Sequence, residues 1–280
     1  MTHLKLYCFF LYFILSFFED HHKMNGILII GGSDCSCGAG IQGDLKMITC
    51  LGAYATTVIT CVVAEHPGRV ESLYHLPSSI IESQFHSILD FFPIDAIKIG
   101  MLYKKELPQK IVELIRRFKI NAPIVVDPVL AAGNGDSLAE PGMEEELAKN
   151  LFPLATVVTP NIEEAELLSG LRIESPEDML RVAQDLSEQY STSFLIKGGH
   201  LQDKTTVDVL YHKGIAHKFE LPRIPHANPH GTGCSLASAT AVFLAQGLEL
   251  PKAVEKAKTK LYEKIKSQLQ IGPFYFLPPT

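Results

Sequence analysis

Short apolar runs alternate with stretches of helical period along most of the chain, beginning just after Met24. Residues 27–30 are an unbroken apolar run, and residues 39–51 place Ile41, Leu45 and Ile48 on one helical face. Residues 58–64 are β-branched and strand-like, and 78–91 repeat Ile, Phe and Leu at helical spacing. Residues 96–100, 124–127, 157–159 and 194–197 are further short strands with helices between them. These strands are apolar along their whole length, which predicts a parallel sheet covered on both faces. Residues 206–212 and 215–221 flank Lys213-Gly214 and predict a hairpin at the sheet edge. Two helices, 235–246 and 251–268, close the chain. The fold class is α/β, a three-layer αβα architecture with a mostly parallel central sheet and an antiparallel edge element. No linker-like segment or internal repeat divides residues 24–280, which read as one domain.

The first 23 residues break this pattern. Residues 6–18 contain thirteen uncharged side chains in a row, with Lys5 before them and Glu19 and Asp20 after. A membrane-spanning helix needs about 20 apolar residues, and no small-residue cleavage site follows the run. Residues 1–23 therefore read as an appended leader, with Met24 as the alternative start, rather than as a membrane anchor. Composition narrows the function further. Thirty-one acidic against 25 basic side chains give a formal charge of -6, which argues against a nucleic-acid partner. Of six cysteines, Cys35 and Cys37 form a C-x-C rather than a zinc-type C-x-x-C pair. Cys50 and Cys61 fall in apolar patterns and read as core. A cytoplasmic protein without a disulfide framework is expected.

In a parallel sheet of this kind ligands collect beyond the carboxyl ends of the strands. Asp34, Glu65, Met101, Asp127, Val129, Thr159-Pro160-Asn161 and Lys197-Gly198-Gly199 all fall there. The chain has no G-x-x-x-x-G-K-[ST] phosphate loop, and the spacing around Gly38-Ala39-Gly40 does not match a dinucleotide fingerprint. Those glycines fit a tight strand-to-helix turn. His230-Gly231-Thr232-Gly233-Cys234 carries a stronger signal. Glycines before a helix let backbone N–H groups converge on an anion, and a Cys in the first turn is expected to have a lowered pKa. A glycine turn with a capping Thr and a buried Cys explains the same residues. Asn161 and Glu164, three apart at a helix start, can share a hydrated Mg²⁺ or can simply initiate the helix. Lys197 can bring a positive charge to a phosphate. His200 and His230 read as structural hydrogen-bonders beside glycine turns.

Taken together, Ser33-Asp34, Gly38-Ala39-Gly40-Ile41-Gln42, Asp44-Leu45-Lys46, Lys98-Ile99-Gly100-Met101-Leu102, Asp127-Pro128-Val129, Thr159-Pro160-Asn161, Lys197-Gly198-Gly199-His200 and Gly231-Thr232-Gly233-Cys234 closely resemble the hydroxymethylpyrimidine/phosphomethylpyrimidine kinases of thiamine biosynthesis, in the ribokinase-like superfamily. The motifs run in family order from about residue 26 to 260. The resemblance implies phosphorylation of 4-amino-5-hydroxymethyl-2-methylpyrimidine and its monophosphate with ATP and Mg²⁺. It places ATP near Asn161, Glu164 and Lys197, with Glu164 and Asp127 as metal carboxylates. The pyrimidine would sit among Ala39, Val63, Glu65, Met101 and Val129. Gly231, Thr232, Gly233, Cys234 and Lys197 would carry catalysis, Cys234 taking or orienting the substrate hydroxyl proton. The resemblance also implies a homodimer.

The chain departs from the family at three places. Glu65 stands where the family usually has Gln, and an ionised carboxylate only accepts, whereas an amide also donates to a ring nitrogen. A buried mismatch of that kind costs roughly 1–3 kcal/mol. Cys35 and Cys37 replace the usual Pro and Gly of the first turn, and the C-terminal end carries only Gly272-Pro273 where relatives have a longer Gly/His stretch. A pyridoxine or pyridoxal kinase and a catalytically silent pyrimidine-binding protein are the alternative readings.

Overall fold

The computed structural model describes residues 24–66, 68–132, 135–199, 204–225 and 231–278. The leader segment 1–23, together with His200 and His230, lies outside the described residues. Nine strands form one sheet in the order β3-β2-β1-β4-β5-β6-β7-β8-β9. Six are parallel: β1 (Gly26–Asp34), β2 (Tyr54–His66), β4 (Ala96–Ile99), β5 (Ile124–Val126), β6 (Val157–Val158) and β7 (Ser193–Lys197). The expected hairpin is present as β8 (Thr205–His212) and β9 (Ile215–Pro222), antiparallel at one edge. The other edge holds β3 (Arg69–His75), antiparallel to β2 and absent from the sequence reading. Its pattern of mostly exposed side chains gives no apolar run to find. The last short hairpin, Leu269–Ile271 with Phe274–Phe276, was also not expected.

Helices cover both faces, as the apolar strands require. Alternate residues of each strand point to opposite layers. Leu28 and Ile30 of β1 enter one core with Ile97, Ile99, Phe85 and Phe194. Ile27 and Ile29 enter the other, with Val125, Leu195, Leu236 and Val254. The first layer is covered by α2 (Ser78–Leu89), α3 (Leu107–Arg117), the short α4 (Met143–Glu146), α5 (Ile162–Ser169) and α6 (Pro176–Tyr190). The second is covered by α1 (Gly40–Cys50), α7 (Thr232–Ala245) and α8 (Leu250–Lys266). The α7 helix is apolar all round and its residues from Ser235 to Phe243 are buried, so it forms the centre of its layer. It starts at Thr232, three residues earlier than the apolar run suggested, so Thr232, Gly233 and Cys234 lie in its first turn. Cys61 is core as expected, but Cys50 is exposed at the last position of α1, where the helix face turns outward. No helix among the described residues is long and apolar enough to cross a membrane.

Candidate active site

The carboxyl ends of the parallel strands carry the expected cluster. Asp34 closes β1 and is buried. Its carboxylate accepts from the backbone N–H groups of Ser36, Gly38 and Ala39 at 2.7, 3.0 and 2.8 Å and from the Ser36 hydroxyl at 3.0 Å. That cradle folds the chain sharply into α1, with Gly40 in the left-handed region at φ 55°. The glycines at 38–40 thus serve the tight turn. A Cβ on Gly231, itself at φ 77°, would overlap the Gly38 carbonyl oxygen. The two glycine turns therefore pack directly on each other, with Ala39 at their junction.

Below this junction the buried charges meet. Lys197, at the end of β7, donates to Asp127 Oδ1 at 2.6 Å, and Thr159 donates to the same oxygen at 3.2 Å. A Cβ on Gly233 would lie 3.0 Å from Lys197 Nζ, so the ammonium lies against the first turn of α7. Burial works against both charges of this pair, yet Lys197 and then Lys98 hold Asp127 below the usual carboxylate range. Asp127 and Glu164 in turn hold Lys197 above the usual lysine value in spite of burial. Burial pushes Glu164 up to about 7, with Lys197 opposing and the Asp127 charge adding to the rise.

Asn161 and Glu164 use their side chains to start α5. The Asn161 carbonyl accepts from the Glu164 N–H at 2.8 Å, and the Glu164 carboxylate accepts from the Asn161 N–H at 2.8 Å. This is a complete capping box. The helix-initiating reading of the pair is realised, and Glu164 is at the same time a neighbour of Lys197 and Asp127 in charge.

The lowered pKa expected of Cys234 is not found. The residue is part-exposed at the helix start, but desolvation raises its thiol, Asp127 and Asp44 add to the rise, and Lys98 and Lys197 oppose it. The helix N-terminus is outweighed by burial, which penalises the thiolate. The Cys234 thiol, close to Asp127, helps to hold that carboxyl below its usual range.

Of the residues expected to meet the pyrimidine, Val63 and Met101 are buried in one small cluster with Cys61 and Leu138, and Val129 packs against it. Glu65 stands at the rim, where β2 and β3 slip register between Ala64 and Glu65. The Cys35 thiol donates to the Glu65 carbonyl at 3.3 Å and accepts from its N–H at 3.4 Å, so the unusual first-turn cysteine grips the backbone of the unusual glutamate. Cys37 takes φ 59°, a conformation that suits glycine, and its carbonyl accepts from Lys46.

Sequence reading assigned no role to Lys98 or Asp44. Lys98 is 1% exposed in the middle of β4 and donates to Asp44 Oδ2 on α1 at 2.7 Å. Ser238 of α7 donates to Asp44 Oδ1 at 2.7 Å. A lysine inside an otherwise apolar central strand was the signal available.

No group of three or more His, Cys, Asp or Glu that could hold a metal ion by itself occurs among the described residues. Asp127 and Glu164 supply hard carboxylate oxygens whose charges oppose one another, a donor set that suits Mg²⁺ shared with phosphates.

The phosphomethylpyrimidine kinase family matches residues 34–278. The hydroxymethylpyrimidine/phosphomethylpyrimidine kinase of Rhizobium meliloti is 38% identical over 248 residues, covering 88% of this chain and 92% of that protein. The thiamine biosynthesis bifunctional protein ThiED of Geobacter sulfurreducens is 39% identical over 250 residues, covering 88% of this chain and 50% of that protein. The chain thus spans about half the length of that bifunctional relative. Among solved structures, the pyridoxal kinase of Staphylococcus aureus in complex with AMP-PCP and pyridoxal superposes with a TM-score of 0.83 at 33% identity, covering 91% of this chain and 93% of that one. The phosphomethylpyrimidine kinase of Clostridium difficile 630 gives 0.75 at 36%, covering 87% and 100%. The sheet order, the layers and these likenesses make the fold ribokinase-like, and the chain belongs to the phosphomethylpyrimidine kinase family.

Proposed function

We propose that this chain transfers the γ-phosphoryl group of ATP to 4-amino-5-hydroxymethyl-2-methylpyrimidine and to its monophosphate, within thiamine biosynthesis. The observation that carries this reading is the meeting of Lys197, Asp127 and the first turn of α7 at one point, beside the Val63–Met101–Val129 cluster. Phosphoryl transfer asks for alignment and charge neutralisation more than for covalent chemistry.

The first-turn N–H groups of α7 and the Lys197 ammonium bind the γ-phosphate as charge develops on it. Lys197 reaches the phosphate from a position where Asp127 already fixes its direction. The substrate hydroxyl oxygen forms its bond to phosphorus while the bond to the β–γ bridging oxygen breaks and ADP leaves. Cys234 orients that hydroxyl, whose proton passes late in the transfer to an oxygen of the transferred phosphoryl group. A neutral thiol suffices for this role, since a loose transition state asks little basicity of the acceptor until late. Asp127 and Glu164 are the carboxylates that would hold Mg²⁺, which supplies charge neutralisation for the phosphates. Val63, Met101 and Val129 offer an apolar face to the pyrimidine ring, and Glu65 at the rim meets its polar edge.

The likeness to pyridoxal kinase at a TM-score of 0.83 makes pyridoxal the competing acceptor. Turnover with ATP and Mg²⁺ on the hydroxymethyl pyrimidine, its monophosphate and pyridoxal separates the readings. The expected result is kcat/KM highest on a pyrimidine. A higher value on pyridoxal replaces this reading, and ATP binding without transfer to any acceptor leaves a binding protein.

A further inference from the structure

Lys98, Asp44 and Ser238 are buried polar groups that take no direct part in the chemistry above, although the Lys98 charge helps to hold Asp127 low. They lie in the layer formed by α1, α7 and the sheet, among Ile27, Ile29, Val125 and Leu236. Lys98 Nζ is 2.7 Å from Asp44 Oδ2, and Ser238 Oγ is 2.7 Å from Asp44 Oδ1. One network therefore joins β4, α1 and α7.

Each of these elements leads into the site at one end. β4 runs into Gly100 and Met101, α1 begins at the Ala39–Gly40 junction, and α7 begins with the turn at 232–234. Ser238 follows Cys234 by four residues, which puts the two on the same helical face one turn apart. Gly100 marks how closely the strand exit is built around the ammonium, since a Cβ there would lie 2.7 Å from Lys98 Nζ.

Stability alone does not call for this arrangement. Two charges are taken out of water inside an apolar layer, and well-packed apolar residues in place of such a pair are often neutral or stabilising. What an apolar trio lacks is direction. A carboxylate held between an ammonium and a hydroxyl fixes the rotation of α7 about its axis and its height along the sheet, which apolar packing specifies less sharply.

We propose that Lys98 is a positioning residue which, through Asp44 and Ser238, sets the first turn of α7 in the orientation that phosphoryl transfer uses. The proposal rests on the kinase reading above. Hydrogen-bond donors act on developing charge only when correctly placed, and small displacements cost up to about 10²-fold. Because that contact strengthens in the transition state, its loss falls on kcat rather than on KM.

The test compares the wild type, Lys98→Met/Asp44→Asn and Ser238→Ala with ATP and the hydroxymethyl pyrimidine. The double variant removes both charges together, so no unpaired charge stays buried. The expected result is a kcat about tenfold lower or more, KM for both substrates within about threefold, and a melting temperature at or above that of the wild type. Ser238→Ala loses kcat in the same direction by about threefold. A folded double variant with wild-type kcat overturns the proposal, as does a loss confined to KM. Should the double variant not fold, Ser238→Ala decides: a loss in kcat alone supports the proposal, and wild-type kcat overturns it. A wild type without transfer to the pyrimidine overturns the kinase reading and this inference together, whereas an active wild type with unaffected variants overturns this inference alone.

Discussion

Two buried lysine–aspartate pairs lie side by side beneath the glycine turns, nearly equal in length and opposite in setting. Lys98–Asp44 measures 2.7 Å and both side chains are sealed, at 2% and 1% exposure. Lys197–Asp127 measures 2.6 Å, with the lysine 13% exposed. The sealed pair bridges β4 and α1 and is closed over by Ser238 of α7. The other opens toward the first turn of α7 and shares its aspartate with Thr159. Geometry within the pair does not distinguish a positioning contact from a reacting one. What each pair faces does.

The sharpest way to break the comparison is to cut one partner of each pair. Lys98→Met leaves Asp44 without its partner inside the core, where burial already raises its carboxyl, and is expected to cost about 3–5 kcal/mol, read as a lowered urea midpoint. Equal losses of stability from Lys98→Met and Lys197→Met would erase the distinction. Lys197→Met, at the open pair, is expected to lose less stability and to lower kcat by about 10²- to 10³-fold, as for removal of a transition-state donor. Stopped-flow measurement of the transfer step, rather than steady-state turnover, separates this from slow product release.

Glu164, beside the open pair, sets a pH window. Its carboxyl titrates near 7 in the folded chain against an ordinary 4.5. Between those values the folded state keeps a proton that the unfolded state has lost, so stability falls as pH rises through the window and levels off above it. Glu164→Gln, which preserves the capping box, is expected to flatten that decline, a difference on the order of 1–3 kcal/mol across the window. A wild-type melting curve indifferent to pH between 4.5 and 7 contradicts the assignment. The smallest effect belongs to the rim. Glu65 is only partly buried, so Glu65→Gln is expected to raise kcat/KM on the hydroxymethyl pyrimidine by up to about tenfold, and superimposable pH profiles of the two proteins dispose of the mismatch.

Much of this was written in the sequence where one signal sufficed. The parallel strands were visible because burial on both faces makes them apolar throughout, and the edge hairpin because Lys213-Gly214 interrupts two alternating runs. β3 escaped because an exposed edge strand has no such run: Arg69, Glu71 and Tyr74 all face outward. Cys50 was misplaced because helical periodicity fades at a helix end. Asn161 and Glu164 were ambiguous because one spacing serves both a capping box and a shared cation. The pKa of Cys234 was misjudged because its helix position is local, whereas its rise comes from burial and from Asp127 and Asp44, which come from distant parts of the chain. For the same reason, the Lys98–Asp44–Ser238 network, spanning up to 194 residues of sequence, is legible only once the chain is folded.

The central claim is that the first turn of α7, with Cys234 at its lip, is where a phosphoryl group passes from ATP to a hydroxymethyl pyrimidine. Transfer rate to the pyrimidine for wild type and Cys234→Ala, measured with the Kd of a non-hydrolysable ATP analogue, tests it most directly. The account predicts rapid transfer by the wild type, a rate about 10²-fold lower in Cys234→Ala, and analogue affinities within about threefold of each other. Wild-type transfer in Cys234→Ala, or no transfer to the pyrimidine by the wild type, contradicts it.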